Sequence, residues 1–153
     1  MVSKNNSLLK ILLADDDQED ILFIKEAFSS SDLNVEFDEV EDGQALMDRL
    51  LIPFKEGSRE VVLPNLILLD LNMPRKSGQE ALKEIKADPR LQKIPVIILT
   101  TSRRKKDVEI AYGAGANCYV TKPQTYKQWA DTIEVLGNFW FRYVTLPGEF
   151  SEG

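Results

Sequence analysis

Short apolar runs alternate along the chain with segments of helical period. LKILLA (9–14) reads as a strand. Asp17 follows as a helix N-cap, with Asp20 three residues on, and Ile21, Ile24, Ala27 and Phe28 share one helical face. NVEFDEV (34–40) is a weaker strand with partial alternation, and Asp42 to Leu51 reads as a second helix. IPFKEGSREVVLP (52–64) is a long polar connection with a Pro near each end. NLILL (65–69) is a third strand. Ser77 or Gly78 opens a third helix through Lys86, with Ala81, Leu82 and Ile85 facing inward, and Asp88-Pro89 stops it. IPVIILT (94–100) is a β-branched strand with both faces apolar. A helix over roughly 104–112 ends near Gly113 and Gly115, and NCYVT (117–121) is a fifth strand. The last helix runs from about Gln124 to about Phe141.

Strict alternation of five strands with five helices predicts an α/β fold: a doubly wound parallel sheet with both faces covered by helices. The length of 153 residues suits one domain with one sizeable core. In such sheets ligands bind beyond the carboxyl ends of the strands. That rule directs attention to a few positions. The first strand ends in Asp15-Asp16-Asp17, the third in Asp70, the fourth in Thr100-Thr101-Ser102 and the fifth in Thr121-Lys122-Pro123.

Carboxylates brought together repel one another unless protons or a cation relieve them. An all-oxygen donor set with open water positions suits Mg²⁺. Such an ion, with Lys122, would keep Asp70 charged and approachable, and a carboxylate in that state can attack a phosphoryl group. The transferred oxygens would then need partners, which Lys122, the Thr100 hydroxyl, backbone N–H groups and the metal supply.

Composition narrows the function classes. No apolar run approaches the ~20 residues that span a bilayer, and the amino terminus MVSKNNSLLK has no long apolar stretch of a signal peptide. The single Cys118 excludes an internal disulfide framework, so a cytoplasmic location is expected. Net charge is −6, which argues against nucleic-acid binding. Histidine is absent, which removes histidine-based catalysis, histidine metal ligation and any phosphohistidine on this chain.

The acidic pair after the first strand, LDLNMPRKSG (69–78), ILTTS (98–102) and YVTKP (119–123) occur here in the order found in the receiver domains of bacterial two-component response regulators, which this chain resembles. The resemblance covers residue 8 to about residue 137 and implies the CheY-like, flavodoxin-like strand order 2-1-3-4-5. It implies a receiver domain over 8–141 and a carboxyl-terminal tail over 142–153. By resemblance, Asp70 is the phosphoacceptor. Mg²⁺ is bound by Asp16 directly, by Asp15 through water, by Asp70 and by the main-chain carbonyl of Asn72. Lys122 contacts the phosphoryl group, Thr100 is the switch hydroxyl, and Tyr119 is the switch aromatic. Thr101 flanks the phosphoryl site and is larger than the residue many relatives carry there. Pro123 is expected to follow a cis peptide bond.

The implied partner is a sensor histidine kinase or a histidine phosphotransfer protein, with output through protein–protein contact. A stand-alone receiver is expected, because no room is left after residue 141 for a DNA-binding domain. NFWFRYVTLP (138–147) and the long 52–64 connection are similar to response regulators that partner phytochrome-type kinases, whose tails contribute to homodimers. Trp129, Ile133, Leu136 and Trp140 form one helical stripe, and Phe139, Phe141 and Tyr143 add aromatic surface beyond it. Arg103 to Lys106 reads as a solvated helix start or a partner contact, and Arg75 and Lys76 can steer an anionic donor.

Three rivals compete. An aspartyl-nucleophile phosphatase of the haloacid dehalogenase type needs an acid two residues after the nucleophile, where Asn72 stands. A nucleotide or flavin module needs a Gly- or hydroxyl-rich phosphate loop where three aspartates stand. A pseudo-receiver, acting only as an interaction module, is opposed by the intact residue set.

Overall fold

The computed structural model describes residues 8–55, 57 and 62–147. Strands β1 (Leu9–Ala14), β2 (Val35–Val40), β3 (Leu66–Leu69), β4 (Val96–Thr100) and β5 (Cys118–Thr121) alternate with helices α1 (Gln18–Ser29), α2 (Gly43–Leu51), α3 (Gly78–Ala87), α4 (Lys105–Gly113) and α5 (Tyr126–Asn138). All neighbouring strands are parallel, in the predicted order β2-β1-β3-β4-β5.

The pleat sends alternate side chains to opposite faces, and two apolar clusters form accordingly. Leu12 and Ala14, Ile67 and Leu69, and Val96 and Ile98 face Leu46, Leu50, Leu82, Ile85 and Ala111 of α2, α3 and α4. Ile11 and Leu13, Leu66 and Leu68, and Ile97 and Leu99 face Ile21, Ile24, Phe28, Trp129 and Ile133 of α1 and α5. The three central strands are covered on both sides, which explains their unbroken apolar runs. The edge strands β2 and β5 are only half-covered.

Caps set most helix starts. Asp17, Asp42 and Thr125 each accept backbone N–H groups at the openings of α1, α2 and α5, and Ser77 with Glu80 forms a capping box on α3. The cap at Thr125 moves the start of α5 to Tyr126, two residues beyond the expected Gln124. The helix also ends earlier than expected, because the winding widens into a π-turn over Phe139–Tyr143. That change of period carries Phe141 inward. It is 2% exposed and packs 5.9 Å from Phe28, so it is core and not surplus surface. Leu146 is buried in the same cluster.

The long connection starts with a 3-10 turn, Ile52–Phe54, and Phe54 lies under the Arg90 guanidinium at 4.8 Å. Residues 56 and 58–61 of this connection, and 148–153 of the tail, lie outside the described residues. No helix among the described residues is long and apolar enough to cross a membrane.

From β1 the chain turns to β2 on one side, then crosses to β3 on the other. The loops after β1 and β3 therefore diverge and leave a crevice at their carboxyl ends. The site lies there.

Candidate functional site

Asp15 leaves the end of β1, and its backbone N–H still donates to Val40 of β2 at 3.0 Å. Asp70 leaves the end of β3 in the same way, donating to Ala14 at 2.9 Å. Both carboxylates are buried. Each also accepts from the backbone two residues on: Asp15 Oδ1 from Asp17 N–H at 2.9 Å, and Asp70 Oδ1 from Asn72 N–H at 3.1 Å. These Asx-type bonds fix the carboxylates and turn the chain out of each strand.

Lys122 arrives from β5. Its backbone N–H donates to Thr100 at 2.7 Å, which extends the β4–β5 ladder by one residue. Its ammonium lies 2.8 Å from Asp15 Oδ2, 2.7 Å from Asp20 Oδ2 and 3.0 Å from Asp70 Oδ2. Burial acts to lower the lysine, but hydrogen bonds to Asp15 and Asp20 and the charges of Asp15 and Asp70 outweigh it and hold the ammonium above its usual range. Burial pushes the Asp15 carboxyl up to about 6, against the opposing pull of Lys122 and the Asp17 N–H.

Asp16 is exposed, and one oxygen from each of Asp15, Asp16 and Asp70 falls within 4.8 Å of the others. An ion of Mg²⁺ size, with oxygens at ~2.1 Å, holds neighbouring ligands about 3 Å and opposite ligands about 4 Å apart. Three hard oxygen donors at this spacing, open to water on the Asp16 side, fit a divalent cation.

Thr100 is completely buried, and its Oγ1 has no hydrogen-bond partner among the described residues. Such a group costs about 1–3 kcal/mol unless an acceptor or donor arrives. Thr101 is exposed and does not share that burial. Tyr119 is half-buried, and its hydroxyl donates to the Ser102 carbonyl at 2.9 Å. Burial raises the Tyr119 phenol above its ordinary range. Its backbone N–H, on an edge strand, donates to the Tyr112 hydroxyl of α4 at 3.1 Å.

The loop after β3 is pressed against two helix starts. Gly78 N–H donates to Leu71 at 2.9 Å, and Gly43 N–H donates to Lys76 at 2.9 Å. Arg75 takes a left-handed conformation at φ 61° and pairs with Asp42 at 3.1 Å. Lys76 pairs with Glu84, so it is turned toward α3.

The predicted residues Asp15, Asp16, Asp70 and Lys122 thus converge, and Thr100 lies at the adjoining strand end. One expectation fails: every described peptide bond, including Lys122–Pro123, is trans. Trans is the intrinsic preference of X–Pro bonds by about 0.5–1 kcal/mol, and the Lys122 ammonium reaches its three carboxylates in that form. Asp20 was legible only as a first-turn acid of α1. Its side chain instead reaches Lys122, a contact spanning 102 residues that local spacing cannot reveal.

The profile of the response regulator receiver domain matches residues 11–134. The chain therefore belongs to the response regulator receiver family. Response regulator Rcp1 of Synechocystis sp. is 39% identical over 148 residues, covering 96% of this chain and 99% of Rcp1. The crystal structure of the phosphorylated cyanobacterial phytochrome response regulator RcpA matches with a TM-score of 0.85 at 38% identity, covering 93% of this chain and 100% of that one. The Mn²⁺-bound form of Rcp1 matches with a TM-score of 0.83 at 38% identity, covering 92% and 99%.

Proposed function

We propose that the chain is a response regulator that accepts a phosphoryl group on Asp70 from a phosphohistidine and signals through protein contacts. The observation that carries this reading is the Lys122 ammonium bridging Asp15 and Asp70 at 2.8 and 3.0 Å, beside an oxygen cluster sized for a divalent cation.

An Asp70 oxygen forms the new O–P bond as the N–P bond of the donor breaks, and the released imidazole nitrogen takes up a proton. The acyl phosphate returns to a carboxylate when water attacks phosphorus. Asp15, Asp16, Asp70 and the main-chain carbonyl of Asn72 would hold Mg²⁺, which supplies charge neutralisation at the transferred oxygens when bound. Lys122 donates to those oxygens. The buried, unpartnered Thr100 hydroxyl gains the acceptor it lacks when a phosphoryl oxygen comes within reach. Its movement frees space that Tyr119 can follow into, releasing the Ser102 carbonyl and altering the α4–β5–α5 face. Thr101 borders the entry to the site, and the Lys122–Pro123 step sets where the ammonium enters. Asn72 donates its N–H to Asp70 and offers no acidic proton, which disfavours a phosphatase with a second acid.

The donor is a sensor histidine kinase or histidine phosphotransfer protein in the cytoplasm. Likeness to RcpA and Rcp1 supports a phytochrome-type kinase. Exposed Val135, Phe139 and Tyr143 support a homodimer formed through the end of α5 and the π-turn after it.

The test is incubation with Mg²⁺ and phosphoramidate followed by intact mass. One phosphoryl adduct is expected, and it should disappear in Asp70→Asn and in excess chelator. An equal adduct on Asp70→Asn defeats the assignment.

A further inference from the structure

We propose that Asp20 is a positioning residue: it tethers the Lys122 ammonium throughout phosphoryl transfer, so that Lys122 can turn from Asp70 to the incoming group without leaving the site. This rests on Asp70 being the phosphoacceptor.

An ammonium has three N–H donors. In this structure Asp15, Asp20 and Asp70 take all three, at 2.8, 2.7 and 3.0 Å. The three acceptors are not equivalent. Asp15 and Asp70 belong to the cation-binding cluster, and Asp20 does not. Transfer turns the Asp70 carboxylate into the acyl end of a mixed anhydride: its carbonyl oxygen is uncharged and a poorer acceptor, and the negative charge now sits on the phosphoryl oxygens. A bound cation shares the lone pairs of Asp15. Asp20 keeps its charge and its lone pairs through both changes.

The placement of Asp20 suits that duty. It stands in the first turn of α1, next to the Asp17 cap, where the amino end of the helix favours an anion. The helix is anchored in the core by Ile21, Ile24 and Phe28, so the carboxylate is carried on a rigid element. Lys122, by contrast, is a charge on a flexible stem, only 5% exposed, with little water to fall back on. Without Asp20 its third N–H has no acceptor, and the ammonium moves closer to Asp15 and Asp70. A tighter grip on the attacking Asp70 oxygen lowers its nucleophilicity, and the ammonium is then aimed only by two carboxylates that both change during transfer, so it no longer points its free N–H at the incoming phosphoryl oxygens. During transfer the Asp70 oxygen forms the O–P bond, the N–P bond of the donor breaks, its electron pair stays on nitrogen and a proton follows. No covalent bond of Asp20 changes.

The experiment follows phosphorylation of the full chain by phosphoramidate with Mg²⁺, using intact mass, in wild type, Asp20→Ala, Asp20→Glu, Lys122→Ala and the Asp20→Ala/Lys122→Ala double variant. Asp20→Ala should lower the rate constant at saturating donor by about 10–100-fold, the usual scale for losing a partner that orients a primary group. Half-saturation by the donor should barely move, and Asp20→Glu should restore most of the rate. In the Lys122→Ala background, removing Asp20 should change nothing further, because both substitutions act through one ammonium. An unaltered rate in Asp20→Ala, or the same drop in both backgrounds, overturns the proposal. If Lys122→Ala accepts too little to measure, trinitrophenylation mapped to Lys122 decides. Labelling should be several-fold faster in folded Asp20→Ala with other lysines unaltered, and equal labelling overturns the proposal. An adduct that persists in Asp70→Asn defeats the phosphoacceptor reading. A flat Asp20→Ala response with an Asp70-dependent adduct defeats only the tether.

Discussion

Asp42 shows how one side chain can serve two neighbours near the site. Its carboxylate caps α2 by accepting the Ala45 N–H at 2.7 Å, and it pairs with Arg75 from the loop after β3. The Ala45 hydrogen bond, with Arg75 beside it, holds the Asp42 carboxyl below its ordinary value of 3.8. Asp42→Ala should cost about 1 kcal/mol at neutral pH, the usual loss for a cap. Because the folded value is the lower one, Asp42 binds its proton more tightly when unfolded. Its contribution is therefore complete above about pH 4 and fades as pH falls through the depressed folded value. Urea unfolding of wild type and variant across that range should show the gap constant at higher pH and shrinking below it. Residues such as Asp70 and Lys122 were legible because each ends an apolar run, where a charge has no other reason to stand. Asp20 was not, because an acid in a helix's first turn already has a local explanation.

Among the elements, the loop after β3 is the most tightly specified. A Cβ at Gly78 would come within 2.0 Å of the Asp70 carbonyl oxygen, so the Asp70 backbone lies directly against the start of α3. Gly→Ala near a helix start ordinarily helps. Here Gly78→Ala should destabilise by about 1–3 kcal/mol, as overpacking does, and should slow labelling of Asp70. Gly113, within α4, meets nothing inside 4 Å and has no positive φ, so Gly113→Ala should raise stability by about 0.5–1 kcal/mol. Urea midpoints of the two variants should move in opposite directions. Local sequence fixed the order and kind of these elements through apolar runs and caps. It could not reveal the demand for glycine at Gly78, which arises from a second segment pressing on it. Nor could it reveal the wider turn after Asn138, since the apolar spacing runs on through Phe141 with nothing to mark a change of period.

At the scale of the molecule, Val135 near the end of α5 and Tyr143 in the π-turn that follows stand 66% and 72% exposed. Val135→Glu with Tyr143→Glu should convert a dimer to monomer by light scattering after size exclusion, with circular dichroism unaltered. A wild type that is already monomeric at the same concentration removes the dimer reading. The parallel sheet has a further consequence. The carboxylates leave β1 and β3, the ammonium leaves β5, and β4 lies between. No short fragment contains the constellation, and loosening β1, β3 or β5 scatters it. Chemical competence is therefore a gauge of integrity: the denaturant concentration that halves Asp70 labelling should coincide with the one that halves the emission change of Trp129 and Trp140, which pack in one cluster. A cell that degrades or unfolds this protein silences it at once, with no half-assembled form left to carry the message.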